Sequence, residues 1–173
     1  MTDSFVIDVA DRQTTLEVNR RQVVKAVEMI LGDAAVARTV ISVAVVDDPT
    51  IHQLNRQYLD HDYATDVLSF VLERDRDLLE GEVIVSADTA ASRAADFGWS
   101  AAEELLLYVI HGTLHLVGYD DGSPDERAIM RARERDCLKR LGIDPPQQGR
   151  ASGDRPADGQ IAAADGERGK EAT

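Results

Sequence analysis

The chain reads as an α/β domain of about four strands and about five helices. Three observations carry that reading. Runs of β-branched residues alternate with stretches of helical pattern through the first 143 residues. Several helix starts carry capping residues, and two of them are complete capping boxes. The composition then changes at about Asp144, where the alternation stops.

In order along the chain, Phe5-Val6-Ile7-Asp8-Val9 predicts a strand. Asn19 caps a helix running to Leu31, with Gly32 as its stop. Val40 to Val46 is β-branched at most positions and predicts a buried strand. Asp48-Pro49 supplies a cap followed by proline at the first helical position, for a helix to about Leu59. Asp66 to Val71 and Gly81 to Ser86 predict two further strands, pairing as a hairpin across the charged loop Glu73 to Asp77. Ala87 to Phe97 is an alanine-rich helix closed by Gly98. The capping boxes are Ser100 with Glu103 and Ser123 with Glu126, the second with Pro124 behind its cap. They open helices reaching about Val117 and about Leu141, the latter stopped by Gly142. The first contains Leu105 to Ile110, apolar on every face, so it belongs between layers.

Residues 1–143 are therefore expected to form the folded domain, and residues 144–173 a disordered tail. That tail opens with Pro145-Pro146, has no aromatic, and has Ile161 as its one large aliphatic. It cannot bury enough apolar surface to offset its ordering entropy. The whole chain is 43% hydrophobic but only 5% aromatic, so the core is mostly aliphatic. No apolar run is long enough for a membrane span. The stretch Met1 to Asp8 lacks a basic segment followed by an apolar one, so it is not a secretory signal. The lone Cys137 cannot form an intrachain disulfide and reads as a small core residue. A cytoplasmic location follows as the expectation. The net charge of −13 argues against a generic nucleic-acid binder. A nucleic-acid substrate would need a local basic patch. Arg20, Arg21 and Lys25 on one helix, or Arg131, Arg135 and Lys139 on another, are either such a patch or solvated helix faces.

The chemistry concentrates in His111-Gly112-Thr113-Leu114-His115-Leu116-Val117-Gly118-Tyr119-Asp120-Asp121. Two histidines four residues apart share one helix face, the spacing used by helical zinc motifs. Gly118 can take the left-handed conformation that reverses the chain, returning Asp121 toward the imidazoles. His111, His115 and Asp121 are the candidate metal ligands. Three ligands and one open position are what a catalytic zinc site needs. The glutamate that serves metallopeptidases as general base follows the first histidine, and here that position is Gly112. A peptidase is thereby disfavoured, and Asp120 is the nearest candidate base. Tyr119 reads as a buried tyrosine or a support for the site. His52 and His61 read as surface histidines, and Asp47-Asp48 as a helix cap.

Three segments together resemble the YbeY family of bacterial metallo-endoribonucleases. They are Leu54-Asn55-Arg56-Gln57-Tyr58 with Thr65-Asp66-Val67-Leu68-Ser69-Phe70, then Gly81 to Ser86, then the histidine segment, which is similar to H-G-x-L-H-L-x-G-Y-D-H. The resemblance implies a mixed sheet with packed helices and one zinc ion. It also implies single-strand-specific cleavage of RNA, maturation of the 3′ end of small-subunit ribosomal RNA, and ribosome quality control. The expected partners are ribosomal RNA and the small subunit with its proteins. The family's first two zinc histidines fall on His111 and His115, and its third on Asp121. Aspartate is harder and anionic, which makes a bound water less acidic and shifts preference toward manganese or iron. Leu59 stands where many members carry an arginine, so Arg56, one turn away, is the candidate to steady substrate phosphate. Ala64 replaces a usual proline. Two alternatives accompany this reading: a ribosome-assembly factor with a structural metal, and a metallopeptidase.

Overall fold

The computed structural model describes residues 4–146 and 161–163. The elements, in chain order, are β1 (Ser4–Asp11), α1 (Arg20–Asp33), β2 (Arg38–Val46), α2 (Asp48–Leu59), β3 (Val67–Arg74), β4 (Leu78–Ser86), α3 (Ala87–Phe97), α4 (Ala101–Leu116), α5 (Pro124–Arg140) and β5 (Ile161–Ala163). The sheet order is β1-β2-β4-β3-β5. β1 and β2 are parallel, as are β2 and β4, while β3 runs antiparallel to β4 as the expected hairpin. Much of the stretch from 144 to 173 expected to lack order lies outside the described residues; within it, β5 pairs in parallel with the edge of β3.

Alternate strand residues face opposite sides of the sheet. One side, including Val43, Val45, Val67, Val83 and Val85, is covered by α1 and α4 and forms the main core. The other side carries a smaller cluster of Val46, Ile51, Leu68, Phe70 and Ile84 under α2. Every residue of α4 from Glu104 to Leu116 is buried, as a helix whose Leu105 to Ile110 stretch is apolar on every face requires. α3 and α5 pack against α4. Among the described residues no helix is long and apolar enough to cross a membrane.

Both capping boxes form, at Ser100 with Glu103 and at Ser123 with Glu126. Two local expectations are corrected. α1 does not stop at Gly32 but continues to Asp33, and the left-handed residue is Ala35, at φ 54°. The last turn is held because Ile30 and Leu31 are buried and Asp33 is paired with Arg133 and Arg140 of α5. The cap of α2 is Asp47, whose side chain accepts the Thr50 N–H; Asp48 is the first helical residue and Pro49 the second. The Asp48 carboxylate is instead taken up by the Ser86 and Thr89 hydroxyls at the start of α3.

Candidate metal centre

The centre forms where α4 ends. Gly118 has φ 106°, the Gly118 N–H donates to the His115 carbonyl, and the Tyr119 N–H donates to the Leu114 carbonyl. This is a Schellman closure, and the left-handed step at its glycine turns the chain back along the helix. Asp121 returns beside the histidines. Nε2 of His115 lies 3.1 Å from Nε2 of His111. Oδ2 of Asp121 lies 3.5 Å from the first of these nitrogens' partner, His111 Nε2, and 3.6 Å from His115 Nε2. The two rings stand nearly perpendicular, at 82°. A tetrahedral ion with bonds near 2.0–2.1 Å holds its ligand atoms about 3.3 Å apart, so this triangle fits a small divalent cation. Both histidines are buried, while Asp121 is about one-fifth exposed at 21% and leaves one side of the triangle open. Burial pushes the Asp121 carboxyl up, but the attraction of the His111 and His115 imidazoles beside it outweighs that and holds the group well below the usual carboxylate range. The three residues could hold a metal ion.

Sequence reasoning missed Glu134. It reaches the site from α5, and its Oε1 lies 2.6 Å from His111 Nδ1, with both side chains buried. Nothing local in the sequence marks it, because it lies 23 residues beyond His111. A second support also comes from α5: the Arg127 guanidinium donates to the Asp121 carbonyl at 3.2 Å. Tyr119 is half-buried beneath the Arg133 guanidinium, 5.7 Å above its ring.

Gly112 has a packing reason beyond its lack of a base. A Cβ there would lie 2.7 Å from Val83 and 2.8 Å from the Ser69 hydroxyl, which donates to the Gly112 carbonyl. α4 thus lies too close to β3 and β4 for the glutamate of a peptidase, and that alternative is not favoured.

The other candidates are not among the three converging groups. Asp120 is exposed, and its Oδ1 accepts the Asp121 N–H at 2.8 Å, bracing the loop. Arg56 is on α2, across the sheet from α4, and faces Asp62 at 3.7 Å. His52 pairs with the same Asp62, and His61 stacks on Tyr63, so both act at the surface. Cys137 is buried, and burial pushes its thiol up to about 11, which keeps it an unreactive core residue. Arg20, Arg21, Lys25, Arg135 and Lys139 are exposed and Arg131 is half-buried.

Comparison with known proteins identifies the family. The family model described as endoribonuclease YbeY matches residues 8–142. The endoribonuclease YbeY of Rhodopirellula baltica is 44% identical over 133 residues, covering 76% of this chain and 69% of that protein. That of Syntrophotalea carbinolica is 35% identical over 143 residues, covering 79% of this chain and 95% of that protein. The solution structure of TM1509 from Thermotoga maritima is similar in fold, with TM-score 0.55 at 23% identity, covering 83% of this chain and all of that one (100%). The matched span contains the whole histidine segment and both helices that build the centre, and the chain belongs to the endoribonuclease YbeY family.

Proposed function

We propose that this protein is a metal-dependent, single-strand-specific endoribonuclease that matures the 3′ end of small-subunit ribosomal RNA in the cytoplasm and serves ribosome quality control. The observation that carries this reading is the convergence of His111 Nε2, His115 Nε2 and Asp121 Oδ2 on one point, within a family of endoribonucleases. A divalent ion held there would supply Lewis acidity and lower the pKa of a bound water. Zinc fits the two imidazoles, and the anionic third ligand also suits manganese or iron.

His111, His115 and Asp121 bind the ion, with the imidazoles neutral so that each offers a lone pair. Asp120, which accepts the Asp121 N–H beside the third of these groups, would orient a water at the ion. Arg56 leaves Asp62 to steady a phosphate of the RNA away from the trio. The small ribosomal subunit and its proteins are the partners in this reading. Residues 1–143 carry the activity.

The test is cleavage of RNA spanning the 3′ end of the small-subunit transcript, single-stranded and duplexed, by protein of measured metal content. Cleavage of the single strand by the parent and its loss in His111→Ala are expected. Fully metal-loaded parent that is as inert as His111→Ala sinks the enzymatic reading. Elemental analysis of Asp121→Ala and Asp121→His tests the third ligand. The alanine variant should lose metal and the histidine variant retain it; full retention by Asp121→Ala removes Asp121 from the ligand set.

A further inference from the structure

We infer that Glu134 is a positioning residue that sets the tautomer and aim of the His111 ring for the metal. The inference rests on the metal reading above. Glu134 lies on the inner face of α5 among Met130, Cys137 and Leu138, where packing alone calls for an apolar side chain. The other acids of that helix, Asp125, Glu126 and Asp136, are exposed. Burying a carboxylate is costly unless a specific partner compensates it. The partner is the His111 Nδ1, at 2.6 Å.

An ionised carboxylate only accepts hydrogen bonds, so this contact keeps the proton on Nδ1. Nε2 is then left with its lone pair, and Nε2 is the atom that faces His115 and Asp121. A carboxylate behind a ligating imidazole fixes its orientation and raises its basicity. His115 has no such brace: its Nδ1 is buried without a hydrogen-bond partner among the described residues. One ring is therefore aimed by a charged acceptor and the other by packing. α5 supplies this brace and also holds the Asp121 loop through Arg127, so its docking sets two of the three ligands.

The experiment uses the full chain as parent, Glu134→Gln and Glu134→Asp. Zinc affinity is measured by competition with a chromophoric chelator, and the metal-free unfolding midpoint is recorded beside it. Long-range proton–nitrogen NMR of the metal-free proteins at about pH 8 reads the histidine tautomers. The parent should bind one zinc, with His111 protonated on Nδ1. Glutamine can donate as well as accept, so Glu134→Gln should lose the single tautomer and bind zinc roughly 10–100-fold more weakly. Glu134→Asp retains the acid and should recover part of that loss. Equal affinity of Glu134→Gln and parent, or His111 protonated on Nε2 in the parent, overturns the inference while leaving the metal reading intact. A parent that takes up no zinc overturns the metal reading itself. Should Glu134→Gln fail to fold, the parent's tautomer and Glu134→Asp still decide the matter.

Discussion

The two ends of α4 each bury polar side chains, and they do so to opposite effect. At the N-terminal end, Glu104 accepts the Trp99 indole N–H at 2.7 Å, and Tyr108 lies against the same carboxylate. Burial and the negative charge of Glu104 push the Tyr108 phenol far up, so it stays neutral. Nearby, Asp66 is paired with Arg93 at 3.5 Å, so this end holds a cation of its own. At the C-terminal end, two imidazole nitrogens and a carboxylate oxygen converge, with a second carboxylate behind them. Donors and acceptors that satisfy one another make a structural cluster. Lone pairs converging on one point make a cation site. A buried polar residue in this helix is thus informative only when the direction of its lone pairs is known.

Substitutions at the two ends should separate these roles. The largest effect is expected from His115→Ala, which removes one of the three groups that could hold the ion. Its zinc affinity should fall by more than the roughly 10–100-fold expected for a supporting residue, and RNA cleavage should fall with it. Chelator competition and a cleavage assay check this, and undiminished affinity would break the contrast. Glu104→Ala comes next. It leaves the Trp99 N–H without its acceptor and should cost about 1–3 kcal/mol of stability in denaturant unfolding. Zinc affinity should stay at the parent's value, and a matching loss there would mean the two ends are one site.

The smallest effect concerns the outer flank of α5. The Arg140 guanidinium bonds Asp33 and holds its carboxyl below the usual range, against a smaller opposing push from burial, with Arg133 adding to it. A carboxyl depressed in the folded state stabilises above its unfolded pKa, and that stability is lost as pH falls through the folded value. Asp33→Asn should therefore unfold slightly earlier than the parent near neutrality. The gap should close as pH falls below about 4. A gap independent of pH in thermal unfolding would show that the flank is held by shape rather than charge.

Most elements were legible because their signals are local. A cap and its partner lie within one turn, as with Ser123 and Glu126, and a hydrogen bond between near neighbours needs no tertiary context. The failures are also instructive. Gly32 carries a stop signal, but the buried Leu31 and the cross-helix pairing of Asp33 extend α1 through it. Asp47 and Asp48 are both competent caps, and the hydroxyls of Ser86 and Thr89 decide between them by occupying Asp48.

The sequence by itself determined the layout of the candidate trio. Four-residue spacing puts His111 and His115 on one face, and the left-handed step at Gly118 returns Asp121 to them within a few residues. These are properties of a single helix end. The tertiary structure alone decided what surrounds the trio. It set how closely α4 lies on β3 and β4 at Gly112, put Arg56 across the sheet, and brought Glu134 behind His111. Those outcomes depend on how separate elements dock, and side-chain spacing along one helix cannot encode the docking of another.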